Sequence, residues 1–293
     1  MSPEGGKRDG RGKRNRYGIE LAGDLYLPEN YAAQKNPAII VAGPFGAVKE
    51  QASGLYAQQM AAYGFVALAF DPSFGGESGG SVRNTASPDI FTEDYSAAVD
   101  YIGLLDFVDR NHIGVIGICG LSGMAITAAG TDTRIKAVAT MSMYDMSRDM
   151  NRGHMDYYTE EQRNKIKEYL SNQRWKDAEN GAFALGNHEI GFDETGKPLT
   201  GAMEVPAELP EEADPAFASF YNYSNIKEVS PRPILMAAGE NAHSRYYSED
   251  AYKAASEPKE LLIIPEADHV SLYDDMEKIP FDKLNQFFKE NLK

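Results

Sequence analysis

The 293-residue chain has a single cysteine, Cys119, so it can form no intramolecular disulfide and hold no cysteine-rich zinc site. No apolar run approaches the ~20 residues that span a bilayer, which excludes a membrane-spanning helix. Basic residues are the minority. Lys and Arg number 29 against 44 Asp and Glu, and the formal net charge of -15 repels a phosphate backbone, arguing against a nucleic-acid partner. The N-terminus has no apolar signal-peptide core, so the cytoplasm is the expected compartment. With 42% hydrophobic and 25% charged residues the composition is that of a globular chain, which excludes wholesale disorder.

What basic charge there is concentrates in residues 1–16, a Gly-rich arm with Lys7, Arg8, Arg11, Lys13, Arg14 and Arg16. Such an arm reads as a flexible terminus, the alternative being an anion contact. Beyond it, short apolar runs alternate with helical patterns. Tyr17 to Pro28 reads as two short strands meeting near Ala22 and Gly23. Ala38–Ala42, Phe65–Phe70, His112–Cys119 and Ile135–Met143 read as buried strands. Helical spacing covers Ser53–Tyr63, Phe91–Val108 and a small-residue stretch through Ala129. The pattern resumes with strands at Pro233–Ala238 and Leu261–Pro265 and helices at Ser248–Ala255 and Phe281–Leu292. This alternation predicts an α/β fold, a mostly parallel sheet with helices on both faces. Residues 17–144 and 229–293 form the two parts of its core.

Residues 145–228 interrupt the pattern. They are polar, rich in Met, Tyr and Asn, with a helix over Glu160–Glu179, a turn at Glu194–Lys197 and an acidic Pro-rich loop at Pro206–Asp214. An insertion after the sixth strand would act as a cap, because ligands of open α/β sheets bind at the strands' carboxyl ends. Met141, Met143, Met146, Met150 and Met155, with Tyr144, Tyr157 and Tyr158, line either an acyl pocket or ordinary core. The stretch Ala242–Tyr247 offers either substrate contacts or loop packing.

The informative stretch is Ile113 to Gly123, IGVIGICGLSG. A strand ends in Gly-x-Cys-Gly and passes directly into a helix. A sharp strand-to-helix turn lifts a nucleophile above the sheet edge and aims the first helical N–H groups at it. Cys119 sits at that turn, with Gly117 two before it and Gly120 one after. Its bland reading is an inert buried thiol. Ser122 has Gly120 two before it but falls one turn into the helix, and neither residue meets the strict Gly-x-nucleophile-x-Gly pattern. Of the five histidines, His269 follows the last strand and returns to the same sheet edge, where an imidazole can take a thiol proton. His112 reads as structural, at the opposite edge, and His154 and His188 as surface residues of the insertion. The loop Gly75–Gly80 lacks the Gly-Lys-Ser/Thr ending of a phosphate loop, and Asp71 before it reads as a backbone anchor.

Taken together these segments resemble the α/β-hydrolase superfamily, specifically its dienelactone-hydrolase-like branch. Val41–Gly46 is similar to the oxyanion loop after the third strand, Asp71–Ser78 to the loop after the fourth, and Gly117–Gly120 to the nucleophile elbow. Gly239–Ala242 lies where the family carries its acid, and Ala267–His269 is similar to the catalytic-histidine loop. The resemblance implies a hydrolase that cleaves a small or medium ester, lactone or thioester through a Cys119–His269–acid triad and an acyl-enzyme. Cys119 is the nucleophile and His269 the base. Glu240 is the first choice of acid, since Ala242 occupies the family's usual acid position, and Asp145 is the rival. Oxyanion donors are the N–H groups of Gly120 and Phe45, because Pro44 has none. No metal or organic cofactor is implied, and a homodimer is left open. Acyl transfer on the same fold, or a binding protein without turnover, are the competing expectations.

Overall fold

The computed structural model describes residues 7–9, 13–81, 83, 85–184 and 225–293. The chain runs through β1 (Lys7–Asp9), β2 (Lys13–Arg14), β3 (Glu20–Leu21), β4 (Gly23–Tyr26), β5 (Asn36–Ala42), α1 (Ala52–Ala62), β6 (Val66–Phe70) and α2 (Pro88–Gly103). It continues with β7 (Val108–Ile118), α3 (Leu121–Thr131), β8 (Ile135–Met141), α4 (Met146–Arg152) and α5 (Glu160–Asn180). The last elements are β9 (Ile234–Gly239), α6 (Arg245–Ala254), β10 (Lys259–Ile264), α7 (Ser271–Asp274) and α8 (Phe281–Asn291).

Among the described residues the strands form an eight-stranded sheet in the order β1-β4-β6-β5-β7-β8-β9-β10, with β2 and β3 paired separately. From β6 to β10 every pairing is parallel, and only the β4–β6 and β1–β4 pairs at one edge are antiparallel. Parallel strands need crossover helices, so both sheet faces are covered and the central strands are apolar throughout. Ile39, Val41, Ile116, Ala139 and Ala237 are all fully buried. The terminal helix α8 buries Phe281, Leu284, Phe287 and Phe288 along one stripe, each such side chain contributing about 1.5–3 kcal/mol. This is the mostly parallel α/β architecture expected from the alternation.

Three details differ from the sequence reading. Part of the basic arm is strand: Lys7–Asp9 pairs with β4 and Lys13–Arg14 with β3, because the short edge strands leave unpaired backbone groups that the arm satisfies. Helix α2 stops at Gly103, and Val108 already opens β7. Strand β7 therefore starts four residues before His112, whose Nδ1 lies 2.9 Å from the Asp109 carboxylate. Of the polar segment, residues 146–184, with 85–87, group as a second compact unit, while Asp145 and residues 225–228 belong with the core. Within that unit α5 opens on a Thr159–Gln162 capping box and ends at Gly181 in the left-handed conformation. His154 there is exposed, and Met155 and Tyr157 are also exposed, so neither serves as core. His188, the Glu194–Lys197 turn and the Pro206–Asp214 loop lie outside the described residues.

Asn15 ties the first strands to the core. Its Nδ2 donates to Ser73 Oγ and Asp94 Oδ1, at 3.1 and 2.7 Å, while its own Oδ1 accepts the N–H groups of Tyr17 and Ile19. Asp94, on α2, also accepts the Ser73 N–H and hydroxyl, both at 2.8 Å. Burial pushes the Asp94 carboxyl up to about 6, against the pull of those donors. Between pH ~4 and ~6 the folded state therefore keeps a proton that the unfolded chain has released. The contribution of this group to stability falls as pH rises through that window, by up to about 3 kcal/mol. Asp94→Asn removes the titration. In urea unfolding from pH 4 to 8, the stability of the wild-type protein minus that of the variant should fall up to about pH 6 and then level; a difference independent of pH would contradict this account.

Candidate active site

The site is assembled by loops that all leave the carboxyl ends of parallel strands, β5 through β10. At its centre β7 meets α3. Cys119 takes the left-handed conformation with φ 54°, a strained position for a residue with a Cβ. Its N–H donates to Met141 O at 2.9 Å, and its carbonyl accepts the N–H groups of Ser122 and Tyr144. Gly117 explains why the turn can be so tight. A Cβ built there would stand 2.6 Å from Ser122 Cα and 2.9 Å from Ala125 Cβ, so only glycine lets α3 close onto the strand. Gly120 is the N-cap of α3, and its N–H donates to no atom among the described residues. Phe45, after β5, is half-buried with its ring 6.0 Å from that of Phe91.

Ser122 is fully buried and its hydroxyl donates to Gly117 O at 2.8 Å. It serves the turn as a back-bonding helical serine, and its oxygen does not face the sheet edge where Cys119 stands.

His269 lies in the loop between β10 and α7 and is nearly buried, at 6% exposure. Its carbonyl accepts the Ser142 hydroxyl at 2.8 Å, which ties this loop to the end of β8. The imidazole is held from both sides by hydroxyls: Nδ1 is 2.5 Å from Ser244 Oγ, and Nε2 is 2.8 Å from the Tyr273 hydroxyl. The Tyr144 and His243 rings pack against it at 5.1 and 4.8 Å between centroids, and Tyr144 OH meets His243 Nε2 at 2.6 Å. Burial, assisted by the neighbouring His243, lowers the His269 imidazole from 6.5 to about 4, with Asp268 working weakly in the other direction. His269 is thus neutral at neutral pH. A neutral imidazole can still take a thiol proton, the role read from its place after the last strand.

The expected acid is not brought to the histidine. Glu240 is exposed and its carboxylate accepts the Glu266 N–H at 3.0 Å, capping the neighbouring loop. The side chain one residue past the strand end points away from the imidazole, while Ser244, four residues further on, reaches it. Asp145 is buried just after β8, and the hydroxyls of Ser244 and Tyr273 are what meet the two imidazole nitrogens. Ser244 lies in the Ala242–Tyr247 stretch whose role was left open, and its small hydroxyl carried no signal of its own.

Tyr273 is the other residue that sequence reading passed over. It stands four residues after His269, a spacing that places both on one side of a helical turn. Its hydroxyl also hydrogen-bonds the Cys119 side chain, and burial together with that thiol raises the phenol far above its ordinary range. Helix α7, which carries Tyr273, is fastened by Tyr56 of α1, whose hydroxyl donates to Leu272 O at 2.7 Å.

Two loops beside the elbow are clamped by charge. Asp71 accepts the N–H groups of Lys49 and Glu77, at 2.7 and 2.8 Å, which is the anchoring role read from its position. Gly76 is required there, because a Cβ would fall 2.3 Å from the Asp71 carboxylate. The Lys49 ammonium, 3% exposed, lies 2.8 Å from Glu77 and 3.6 Å from Asp71. Burial opposes its charge, but Glu50, Glu77 and Asp71 outweigh burial and raise it above the usual lysine range. This cluster fixes the loop that presents Phe45. Among the described residues no group of three or more His, Cys, Asp or Glu side chains could hold a metal ion, and no helix is long and apolar enough to cross a membrane.

The chain is similar to several known proteins. The uncharacterized protein PA2218 of Pseudomonas aeruginosa is 54% identical over 95% of this chain and 79% of its own length. Its crystal structure superposes with a TM-score of 0.88 over all of this chain and 95% of that one. The uncharacterized protein YcjY of Escherichia coli K12 is 31% identical over 94% of this chain and 95% of its own. The thiohydrolase aneE of Aspergillus aculeatus is 34% identical, but over 42% of this chain and 38% of its own. Acyltransferase drtE of Aspergillus calidoustus is 32% identical over 38% and 36%. Among structures, the α/β hydrolase GrgF from a Penicillium species matches with a TM-score of 0.76 at 20% identity, over 98% and 99% of the two chains. The Pyrococcus furiosus esterase Pf2001 matches at 0.66 and 15%, over 99% and 93%. No family model matches the sequence.

The state of His269 is directly observable. With histidine nitrogens labelled, its ring resonances should stay constant from pH 8 down to about 5 and move only near pH 4; a midpoint between 6 and 7 would show that burial does not govern this imidazole.

Proposed function

Since the chain belongs to the same family as PA2218 and YcjY and has the α/β-hydrolase fold, we propose that it is an acyl-cleaving enzyme whose nucleophile is Cys119. The observation that carries this reading is the elbow itself: a cysteine at φ 54° beside the Gly120 N–H, with Tyr273 and His269 on its thiol side. The substrate class is a small or medium ester, lactone or thioester, the range that the dienelactone-hydrolase-like elbow implies. The thiol gives its proton toward His269, and the sulfur attacks the acyl carbonyl. The N–H groups of Gly120 and Phe45 stabilise the oxyanion, each worth about 3–4 kcal/mol in the transition state. The C–O or C–S bond to the leaving group then breaks, the leaving group takes the proton from His269, and an acyl-Cys119 thioester remains. Water, deprotonated through His269, releases the acid and restores the thiol.

The third member of the triad is Ser244 in this reading. A hydroxyl on Nδ1 fixes the ring but adds no negative charge to stabilise an imidazolium. That arrangement suits a thiol, with an ordinary pKa of ~8.5, better than a serine hydroxyl, whose proton is far harder to remove. Acyl transfer is a second reading, favoured by the weak basicity of His269: an imidazole near 4 activates water poorly, and a thiol or amine acceptor needs less help. The partial likenesses to a thiohydrolase and an acyltransferase support the same pair of outcomes.

The test is intact-protein mass spectrometry after brief exposure to p-nitrophenyl acetate. Wild type and Ser122→Ala should gain one acetyl group, Cys119→Ala none, and His269→Ala should acylate at least 100-fold more slowly. An adduct that survives Cys119→Ala would overturn the assignment, and a wild-type protein inert to a broad ester and thioester panel would point to a binding protein. Because the base is active only when neutral, kcat/KM should hold as pH falls from 7 to 5 and drop through about pH 4. A drop centred between 6 and 7 would mean that a different group, or an unburied His269, takes the proton.

A further inference from the structure

The end of β8 lies between the thiol turn and the histidine loop and is bonded to both. Met141 O accepts the Cys119 N–H at 2.9 Å, and the Tyr144 N–H donates to the Cys119 carbonyl at 3.0 Å, so the two ends of the run 141–144 grip the turn that carries the thiol. Between them stands Ser142. Its N–H donates to Ala237 O of β9 at 2.9 Å, and its hydroxyl donates to His269 O at 2.8 Å. On the β9 side the same histidine loop is held by main chain, with the Asn241 N–H on Ala267 O at 2.8 Å, a bond that survives any substitution short of proline. The carbonyl of His269 itself is reached by a side chain. Ser142 is fully buried and its φ is 44°, a left-handed conformation that glycine adopts without strain and serine does not. The chain thus carries a strained serine where glycine would relax, at a position from which a hydroxyl reaches the backbone of the base.

Resting on the reading of Cys119 as nucleophile and His269 as its base, we propose that Ser142 is a positioning residue, whose hydroxyl ties the backbone of His269 to the segment that holds the Cys119 turn. Cys119 and His269 follow β7 and β10, and those strands are not neighbours: β8 and β9 stand between them. Pairing of their own strands therefore does not fix one against the other, and a small tilt of the histidine loop is carried to the ring. The Ser142 hydroxyl spans that gap at the level of the main chain, which leaves both ring nitrogens to Ser244 and Tyr273. Because the bond ends on the His269 carbonyl, it acts on the reaction through the placement of the imidazole. Placement is a strong lever: a shift of about 1 Å at the reacting atoms is enough to cost ~100-fold in rate. Backbone strain beside the site is what the fold accepts to keep that hydroxyl where it is.

The experiment compares wild type with Ser142→Ala and Ser142→Gly, in urea unfolding and in single-turnover acylation by p-nitrophenyl acetate. Nitrophenolate release is followed by stopped flow and the Cys119 adduct by mass. Alanine removes the hydroxyl and keeps the strain, whereas glycine removes both, so Ser142→Gly should unfold at a higher urea concentration than Ser142→Ala. Both variants should nevertheless acylate about 30-fold more slowly at saturating ester, with the half-saturating ester concentration unchanged. With histidine nitrogens labelled, the His269 midpoint should rise in both from about 4 toward 6.5, because a loosened loop admits water to the ring. Tyr144, His243, Asp268 and Tyr273, the titratable groups about that ring, are the same in all three proteins. If the alanine variant does not fold, the glycine variant carries the test alone. A wild-type acylation rate in a folded variant, a loss in Ser142→Ala that Ser142→Gly restores along with stability, or an unmoved His269 midpoint would each overturn the positioning role while leaving Cys119 as nucleophile. If wild type itself shows no adduct on Cys119, the nucleophile assignment falls and the positioning role falls with it.

Discussion

The close approach of α3 to β7 at Gly117 is the constraint on which the site depends. With no Cβ at that position the helix packs directly on the strand, and the chain must reverse within two residues to enter it. Cys119 absorbs that reversal in the left-handed conformation, which turns its side chain above the sheet edge and leaves the first N–H of the helix facing the same space. The Ser122 hydroxyl on Gly117 O and the Cys119 N–H on Met141 O hold the turn from either side. The strain, of order 1–3 kcal/mol for a non-glycine residue, is tolerated because the surrounding sheet and helix are buried and leave the turn no alternative.

Around that turn the protein separates charge from chemistry. The formal charges sit in the clamp of Lys49, Glu50, Asp71 and Glu77, where they fasten two loops. The reacting end is lined instead with neutral polar groups: a thiol, two hydroxyls and an imidazole that burial keeps uncharged. A neutral chain of donors and acceptors lowers the cost of burying the site, since an isolated buried charge is far more costly than a paired hydroxyl. In the proposed reaction it also suits a nucleophile whose proton leaves readily. A hydroxyl at His269 Nδ1 and a cysteine at the turn are consistent with that proposed chemistry.

The parts of this arrangement that are local were legible in the sequence. The run IGVIGICG announces a buried strand broken by a tight turn, because period and glycine spacing are properties of neighbouring residues. Asp71 followed by Gly75 and Gly76 announced a carboxylate anchoring its own loop, and it does so. His269 after the last strand follows from strand order and the fixed hand of crossover connections. Where reasoning overran, a local pattern was read too far. Helical spacing from Phe91 to Val108 continued past Gly103 into a strand, and the arm around Lys7 looked free because only the exposed edge of β4 gives it a partner.

The sequence by itself determined the alternation of strands and helices, the elbow at Cys119 and the histidine loop, since each is encoded by residues within about ten positions of one another. Only the tertiary structure decided what His269 touches. Glu240, Asp145, Ser244 and Tyr273 all lie on loops at one sheet edge, and small differences in where each loop turns select the two hydroxyls over the two carboxylates. A side chain's reach is a few ångströms, whereas loop direction depends on packing from Tyr56, Ser142 and the strand ends, residues up to 216 positions away. That is why the acid predicted from its place after a strand gave way to a serine four residues beyond it.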